Sequence, residues 1–522
     1  MSFRKREVSP SPTLTRLVRE ITENRVAEFR QLQSDANTLR KLQEEPIRAL
    51  CRKFAQVWEG DHPKQLDHTL KMDDPVWSHS YIDQELYPLF RHPLVQRLNY
   101  IKQLSFAYLT FPSATHSRLS HVLGACTLID RALSTIFRKN VLYSSHGKKE
   151  IPLDATQRRE IILRAKTVAL VHDLGHPPFG HALDRLIGFG DASRPKPDPD
   201  KFFSRKYITS KLAPILPACS NAETLSQILT PNATQLKGWD ILISALIDSP
   251  LDVDRMDFLW RDAHMTGLSE GIAPVEALLE KMSPYQENDA IFLTFQDPCK
   301  AYIEDLLSTR EKMYVNCYEH PQKLAAERIF TRLVQNLRIK NKLDIEEVIM
   351  LSDDQIMTLL GQFALGSHED EELLKALLQN VEYKTVLEVD IAGPSAAAKN
   401  WSTIREGADQ EGMGGKSAYV DMPNQWESMI ADSSGLGPVR SWQVLVVVPE
   451  FKVHKHAEAQ AQILQPHGTG FAAIPMSDAY PEIEDTINAL RSPRTRIRVY
   501  THSSLTEDER KAVFNAAERV LN

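Results

Sequence analysis

Cysteine is scarce. The chain has five in 522 residues (Cys51, Cys126, Cys219, Cys299 and Cys317), scattered and without a C-x-x-C pair. They read as reduced thiols, mostly core fillers, of a cytoplasmic protein. Long apolar runs are missing too. None reaches the roughly 18 residues of a membrane span, so no membrane partner is expected. Excess basic charge is also lacking: 62 Lys+Arg against 69 Asp+Glu give a net charge of −7. That excludes a globally basic nucleic-acid coat while leaving room for a local patch. The opening MSFRKREVSPSPTLTRL is positively charged with no apolar core behind it, so no secretory signal is expected. No internal repeat is present. What remains is 42% hydrophobic and 25% charged residues, close to the average of soluble globular proteins. The length suits about three domains at roughly 150 residues each.

The pattern predicts a mainly α protein in three regions. Residues 1–79 read as an N-terminal helical region. From Thr13 to about Phe54, Val18, Ile21, Phe29, Leu32, Leu39 and Leu42 recur at helical steps, and Pro46 should break or kink the run. Residues 80–335 are dense in apolar helical stretches, with helices expected at 93–104, 117–137, 155–172, 238–249, 252–264 and 299–318. Strands are few there; Ala290–Phe295 is one. This predicts a mainly helical bundle. Alternating prolines in GDASRPKPDPD (190–200) predict a stiff extended loop. Residues 336–522 read as a small C-terminal α/β domain. Ser352 with Gln355 and Thr506 with Glu509 suggest capping boxes, the second opening a final helix to Leu521. Tyr383–Ile391, Gln443–Val448 and Arg496–Tyr500 read as strands. The Gly-, Ser- and Asn-rich stretch 393–438 reads as a long loop or linker, and His454 and His456 as surface residues.

The densest chemistry lies where an apolar helix ends in Val171-His172-Asp173-Leu174-Gly175-His176 and enters the loop HPPFGH. Three histidines (His172, His176, His181) and two aspartates (Asp173, Asp184) crowd this short stretch. Imidazole and carboxylate are natural ligands of divalent ions, so metal binding or proton transfer is expected. The bland alternative is a loop whose histidines cap helix ends. One His-Asp pair supplies only two ligands. Upstream, Arg118 and His121 stand three apart on one helix face; His121 is a candidate third ligand and Arg118 a cation for a phosphate. Downstream, Asp254, Phe258 and Arg261 share a face, and Asp254 is a candidate to close the shell.

Together these form the ordered set His…His-Asp…Asp, which resembles the HD superfamily. Within it the chain is similar to the deoxynucleoside triphosphate triphosphohydrolases, including the animal members with a sterile-alpha-motif domain. The resemblance is carried by LVQRLNYIKQL (94–104), FPSATHSRLSH (111–121), HDLGHPPFGH (172–181), DVDRMD (252–257) and Arg261-Asp262. It spans residues of about 80–325, roughly half the chain. The resemblance implies an HD-domain helical bundle. It implies one divalent ion (Mn, Mg, Fe, Ni or Zn) held by His121, His172, Asp173 and Asp254. The implied activity is hydrolysis of a deoxynucleoside triphosphate to deoxynucleoside and inorganic triphosphate. Arg118 would contact the triphosphate and Arg255 would add charge. His176, His181 and Asp184 would line the reacting phosphorus. Gln103 and Leu104 would sit against the sugar, where a 2′-hydroxyl is sensed by lack of room, and Asp262 near the 3′-hydroxyl. Phe258 would pack on the sugar, and Arg310, Tyr318 and His320 would complete the pocket. A homo-oligomer is implied as well.

The chain also departs from that family. A further His-Glu pair usual after the HPPFGH loop is missing: Phe202–Lys211 holds neither residue type, and Arg205-Lys206 stand there instead. Phe258 stands where tyrosine is typical. Arg91 and Asn99 stand where some members bind an activating nucleotide with an Asp and an Arg, so that allosteric site is not expected. Two other functions stay open. One is a phosphodiesterase or nuclease on oligonucleotides, with Arg205-Lys206 meeting a second phosphate of a single-stranded nucleic acid. The other is a nucleotide-binding regulator with little catalysis, motivated by the missing pair.

Overall fold

The computed structural model describes residues 47–58, 68–183, 186, 199–230, 235–268, 274–341, 345–390, 414–448, 460–483 and 496–521. The chain divides into two compact units, residues up to Lys53 and residues Phe54–Asn522. A helix begins at Ile47, directly after the expected break at Pro46. Residues 1–46 and 59–67 of the N-terminal helical reading lie outside the described residues, as do Asp184, His454 and His456; its last part is corrected, since Leu70–Asp74 and Ser78–Ile82 are strands, with the Asp74 carboxylate accepting the Val76 and Trp77 amides at the turn between them.

All that follows concerns the second unit. In chain order it holds the hairpin β1 (Leu70–Asp74) and β2 (Ser78–Ile82), α1 (Pro93–Arg97), α2 (Arg118–Lys139), β3 (Val141–Ser144), β4 (Gly147–Glu150) and α3 (Ala155–Val171). Next come α4 (Pro199–Tyr207), α5 (Trp239–Ile247), α6 (Val253–Thr266), β5 (Met282–Glu287), β6 (Ala290–Gln296), α7 (Lys300–Met313), α8 (Pro321–Asn341), α9 (Asp353–Ala364) and α10 (His368–Leu378). Last are β7 (Tyr383–Asp390), α11 (Gly414–Ser433), β8 (Val444–Val447), β9 (Gln462–His467), β10 (Gly470–Pro475), β11 (Arg496–His502) and α12 (Glu507–Leu521). The protein is mainly α with small sheets, as the periodicity predicts.

Three helices form the centre of the bundle. The 22-residue α2 is capped at its start by the Ser117 side chain and closed by Asn140 in the left-handed region. Its residues Val122, Ala125, Ile129, Leu133 and Ile136 are fully buried. Helix α3 opens with an Asp154/Gln157 capping box and carries buried Val168, Ala169, Leu170 and Val171 into the His172-Asp173 corner. Helix α6 starts at the Asp252 cap, whose carboxylate accepts from the Arg255 amide at 2.7 Å. Gly124 lets α6 approach α2: a Cβ there would lie 1.8 Å from Asp257 Oδ1.

Two sheets flank the helices. One has six strands in the order β10-β9-β6-β5-β3-β4. Its β3–β5 and β6–β9 pairings are parallel, so strands from residues 462–475 extend a sheet begun at 141–150. The other is the antiparallel β7-β11-β8. It packs on α11 and α12 through Val389, Val444, Val446, Val499, Ile430 and Val513, giving the expected α/β layering of the C-terminal part. No helix among the described residues is long and apolar enough to cross a membrane.

Three local expectations are corrected. The helix expected at 93–104 stops at Arg97, because the following backbone pairs across with 116–118: the Gln103 amide donates to the His116 carbonyl and the Arg118 amide to that of Ile101. The reading of 393–438 as loop fails over Gly414–Ser433, which is helical. Trp426 and Ile430 bury an apolar face there that the small polar residues around them mask in the sequence. The helix expected at 299–318 turns from α to π after Met313.

The two glycines Gly124 and Gly361 should respond oppositely to alanine. At Gly124 the added methyl meets Asp257 and Arg261, so Gly124→Ala should destabilise by about 1–3 kcal/mol. Gly361 sits inside α9 with nothing within 4 Å of an added Cβ, so Gly361→Ala should stabilise by roughly 0.5–1 kcal/mol. Thermal melts of the two variants check this; a lower midpoint for Gly361→Ala would contradict it.

Candidate metal centre

The end of α3, the first turn of α2 and the first turn of α6 converge. His121, His172 and Asp173 each bring a ligand atom within 4.8 Å of the others. Asp254 Oδ1 lies 2.7 Å from His121 Nε2 and 3.1 Å from His172 Nε2. Asp173 Oδ1 lies 3.3 Å from His172 Nε2. Donor atoms on metal bonds of about 2.1 Å stand roughly 3.0–3.4 Å apart, so the two His172 spacings are those of cis ligands, while the 2.7 Å contact of His121 with Asp254 is a hydrogen bond that an ion would open. The four residues expected from the sequence are therefore together, and their two imidazoles and two carboxylates fit a divalent ion.

The surrounding shell aims the imidazoles. His121 Nδ1 donates to Asp257 Oδ2 at 2.8 Å and His172 Nδ1 to the Ala169 carbonyl at 2.7 Å. Both rings thus turn Nε2 to the centre, the arrangement that fixes a metal-binding tautomer. Burial pulls the His121 imidazole down, but its bonds to Asp254 and Asp257 outweigh that and raise it to about 10. His172 is likewise pulled down by burial and lifted, to about 8, by Asp173 and Asp254. Burial alone would push the Asp254 carboxyl up; His172 and His121 hold it well below the usual carboxylate range. The carboxylates thus create a strong local demand for positive charge, which a divalent ion also meets. Behind them, the Arg261 guanidinium pairs with Asp257 at 3.0 Å and with Asp74 at 2.9 Å, and the Trp77 indole also donates to Asp257.

A polar rim surrounds this cluster. Arg118 Nη1 donates to Asp173 Oδ2 at 2.8 Å. The Gly180 backbone packs so closely that a Cβ there would sit 2.5 Å from Arg118 Nη2. Asp262 accepts from His116 Nε2 at 2.8 Å and from the Tyr318 hydroxyl at 2.7 Å. His116, a missed member of the rim, was visible only as the first residue of the His-Ser-Arg-Leu-Ser-His run. Gln103, His116, Arg118 and His176 all carry buried side-chain nitrogen or oxygen atoms without a hydrogen-bond partner. Such atoms are costly inside a protein unless a ligand meets them. Leu104 is buried, and Phe258 lies edge-on to His121 with ring centroids 6.4 Å apart.

Other expected residues stand elsewhere or face other partners. Arg255 Nη1 donates to the Pro250 carbonyl. The Arg310 guanidinium covers the Tyr314 ring at 5.5 Å; Tyr318 lies on the π turn that follows Met313. His320 Nδ1 lies 3.4 Å from Thr110 Oγ1 and its ring meets Phe111. His176 and His181 are in ring contact at 5.0 Å, His176 buried and His181 exposed. Arg205 and Lys206 do not take the place of the missing His-Glu pair. Arg205 Nη1 donates to the Leu229 carbonyl at 3.0 Å and Lys206 pairs with Glu346 at 2.9 Å, because α4 turns both outward. The carboxylate that α4 brings to the histidines is Asp200, 3.5 Å from His176 Nδ1. It was hidden in the sequence as the last residue of a proline-rich loop.

Residues far along the chain hold the HPPFGH loop. The fully buried Arg97 donates to the carbonyls of Leu174 and His176, and to those of Ile349 and Leu351. Asp353 accepts from the amides of Phe179 at 2.7 Å and Lys102 at 2.9 Å. Nothing in local sequence pattern signals either role.

Comparison with known proteins agrees with this geometry. No protein-family model matches the chain. An uncharacterized protein, YwfO, of Bacillus subtilis is 28% identical over 321 residues, covering 57% of this chain and 66% of its own length. A Bos taurus protein named deoxynucleoside triphosphate triphosphohydrolase SAMHD1 is 25% identical over 406 residues, covering 68% of this chain and 62% of its own. The chain thus spans just under two thirds of these relatives. A crystal structure titled as a phosphohydrolase from Bacteroides thetaiotaomicron shares the fold, with a TM-score of 0.56 at 19% identity, over 84% of this chain and 100% of that one. With the His…His-Asp…Asp cluster assembled and these relatives beside it, the chain is similar to the HD superfamily, on its deoxynucleoside triphosphate triphosphohydrolase-like side.

Proposed function

We propose that the protein hydrolyses deoxynucleoside triphosphates to deoxynucleoside and inorganic triphosphate. The observation that carries this reading is the pairing of a His₂Asp₂ cluster with Arg118, buried against Asp173 with Nε and Nη2 unpartnered. A triphosphate brings about four negative charges, which an ion and a guanidinium together can hold.

His121, His172, Asp173 and Asp254 would hold one divalent ion. When bound it supplies positive charge to a phosphoryl oxygen and lowers the pKa of water. Arg118 binds the phosphate chain. Gln103 and Leu104 face the sugar, and Asp262, held by His116 and Tyr318, receives its 3′-hydroxyl. In the reaction a water oxygen bonds to the α-phosphorus and the bond to the sugar O5′ breaks. His176 or His181, on the loop beside Asp173, donates the proton that O5′ needs to leave as a hydroxyl. Asp184 is assigned to this group from its sequence position. Phe258 packs on the sugar, and Arg255, Arg310 and His320 serve the outer pocket.

An assembly of several copies and a cytoplasmic location belong to the same reading. The oligonucleotide reading loses its second phosphate contact, since Arg205 and Lys206 are engaged away from the histidines.

Three outcomes test the proposal. Incubated with each deoxynucleoside triphosphate and Mn²⁺ or Mg²⁺, the protein should release inorganic triphosphate at roughly one turnover per second or more. His172→Ala should abolish this; monophosphate alone, or the same products from the variant, would remove the reading. Asp257→Asn should weaken metal affinity about 10–100-fold, since Asp257 aims His121, while a melt shows the variant folded. Leu104→Ala should narrow the preference for deoxy- over ribonucleotides by roughly tenfold, about 1.4 kcal/mol, measured as the ratio of the two kcat/KM values.

A further inference from the structure

We propose that Asp353 is a positioning residue that fixes two walls of the nucleotide pocket against each other, one carrying Gln103 and the other the Gly180 backbone beside Arg118. This rests on the functional reading above, which gives Gln103 to the sugar and Arg118 to the phosphates.

Helix α9 does not need Asp353 for its own sake. Its start is satisfied by the capping box, in which the Ser352 amide donates to Gln355 Oε1 at 2.9 Å and the Gln355 amide to Ser352 Oγ at 3.4 Å. The exposed Asp354 already supplies a negative charge for the helix dipole. Asp353, by contrast, is 2% exposed. Burial pushes its carboxyl up to about 6, against the pull of the two amides it accepts. A buried acid is costly unless its partners need it, so its partners explain the position.

The first partner is the Phe179 amide, 2.7 Å from Oδ1. Phe179 has a φ of 55°, in the left-handed region that a bulky side chain seldom adopts and that its surroundings must enforce. Its ring is held by Phe106, stacked with centroids 4.2 Å apart, and by Phe330 at 4.8 Å; its amide is held by Asp353. This turn places Gly180, whose backbone abuts the Arg118 guanidinium closely enough to exclude a Cβ. Arg118 Nε and Nη2 are the atoms left for a phosphate.

The second partner is the Lys102 amide, 2.9 Å from Oδ2. Lys102 Nζ stands 3.7 Å from the same oxygen and covers the rings of Tyr108 and Phe179, closing the joint between the segments. The next residue is Gln103, whose Oε1 is buried without a partner. Its segment pairs with 116–118 through the Gln103 amide on the His116 carbonyl at 3.0 Å and the Arg118 amide on the Ile101 carbonyl at 2.9 Å. Gln103 and the wall of Arg118 are thus each one residue from an amide on the same carboxylate. Only an acceptor on both sides can hold them. Asparagine would offer one oxygen to one amide and set its Nδ2 donors against the other.

The test compares Asp353→Asn with wild type and with Asp354→Asn, all as the full chain. Hydrogen exchange read by mass spectrometry should find the Lys102 and Phe179 amides protected in wild type and in Asp354→Asn. Both should exchange faster in Asp353→Asn, with the β7-β11-β8 sheet unchanged. Asp353→Asn should also lower kcat/KM for a deoxynucleoside triphosphate roughly tenfold. In a Gln103→Ala or an Arg118→Ala background the loss should be about threefold smaller, since coupled residues are not additive. The same loss in all three backgrounds, or faster exchange throughout the protein, would mark an acid that only stabilises the fold and overturn the proposal. Unchanged exchange in Asp353→Asn would do so too. If that variant does not fold, Asp353→Ser, whose hydroxyl can accept one amide, is read in the same way. Fast exchange of either amide in wild type overturns the proposal with no variant at all. Wild type inactive on every deoxynucleoside triphosphate, with the exchange result intact, would instead remove the functional reading and leave the two segments joined through Asp353.

Discussion

Asp257 accepts the His121 imidazole on one oxygen and the Trp77 indole on the other, while the Arg261 guanidinium spans both. All four groups are buried. A carboxylate this deep is tolerable only with its partners in place, because losing one leaves a charge without solvent, at several kcal/mol. The cluster therefore has one stable arrangement, and that arrangement points His121 Nε2 at Asp254 and Asp173. Gly124 makes it sterically feasible by letting α6 lie against α2. The β1–β2 hairpin closes it through Asp74 and Trp77.

The HPPFGH loop is held with equal economy and from further away. Arg97 gathers four carbonyls from two segments, and Asp353 two amides, one of them in the same loop. Each spans the HPPFGH loop and the stretch 349–353, which on sequence texture belongs to the C-terminal part. The six-stranded sheet does the same on another side, adding β9 and β10 to β6. Residues beyond 336 are thus structural partners of the His-Asp cluster. A change near Leu351 can reach His176 through one guanidinium.

The same packing decides what stands near the histidines where the His-Glu pair is missing. Helix α4 contributes Asp200 and Ser204 to the histidines, and spends Arg205 and Lys206 on Leu229 and Glu346. Which of four neighbouring residues faces inward depends on where the helix starts and how it lies. A proline-rich loop gives no advance notice of that start.

The sequence by itself determined much of this protein. Apolar periodicity set α2, α3 and α6 within a few residues, since burying one face of a helix is a local, repeating demand. Ser352/Gln355 and Thr506/Glu509 marked two helix starts, because capping is a contact within one turn. The residue types at His121, His172, Asp173 and Asp254 suggested a ligand set, and the fold brings those four side chains together. Tertiary structure alone decided the rest. It chose Asp257, Arg97, Asp353, His116 and Asp200 as partners, turned Arg205 and Lys206 away, and made a helix of 414–433 by giving Trp426 and Ile430 a sheet to cover. These outcomes depend on contacts between residues far apart in the chain, and a buried charge or amide records its need for a partner without recording which partner meets it.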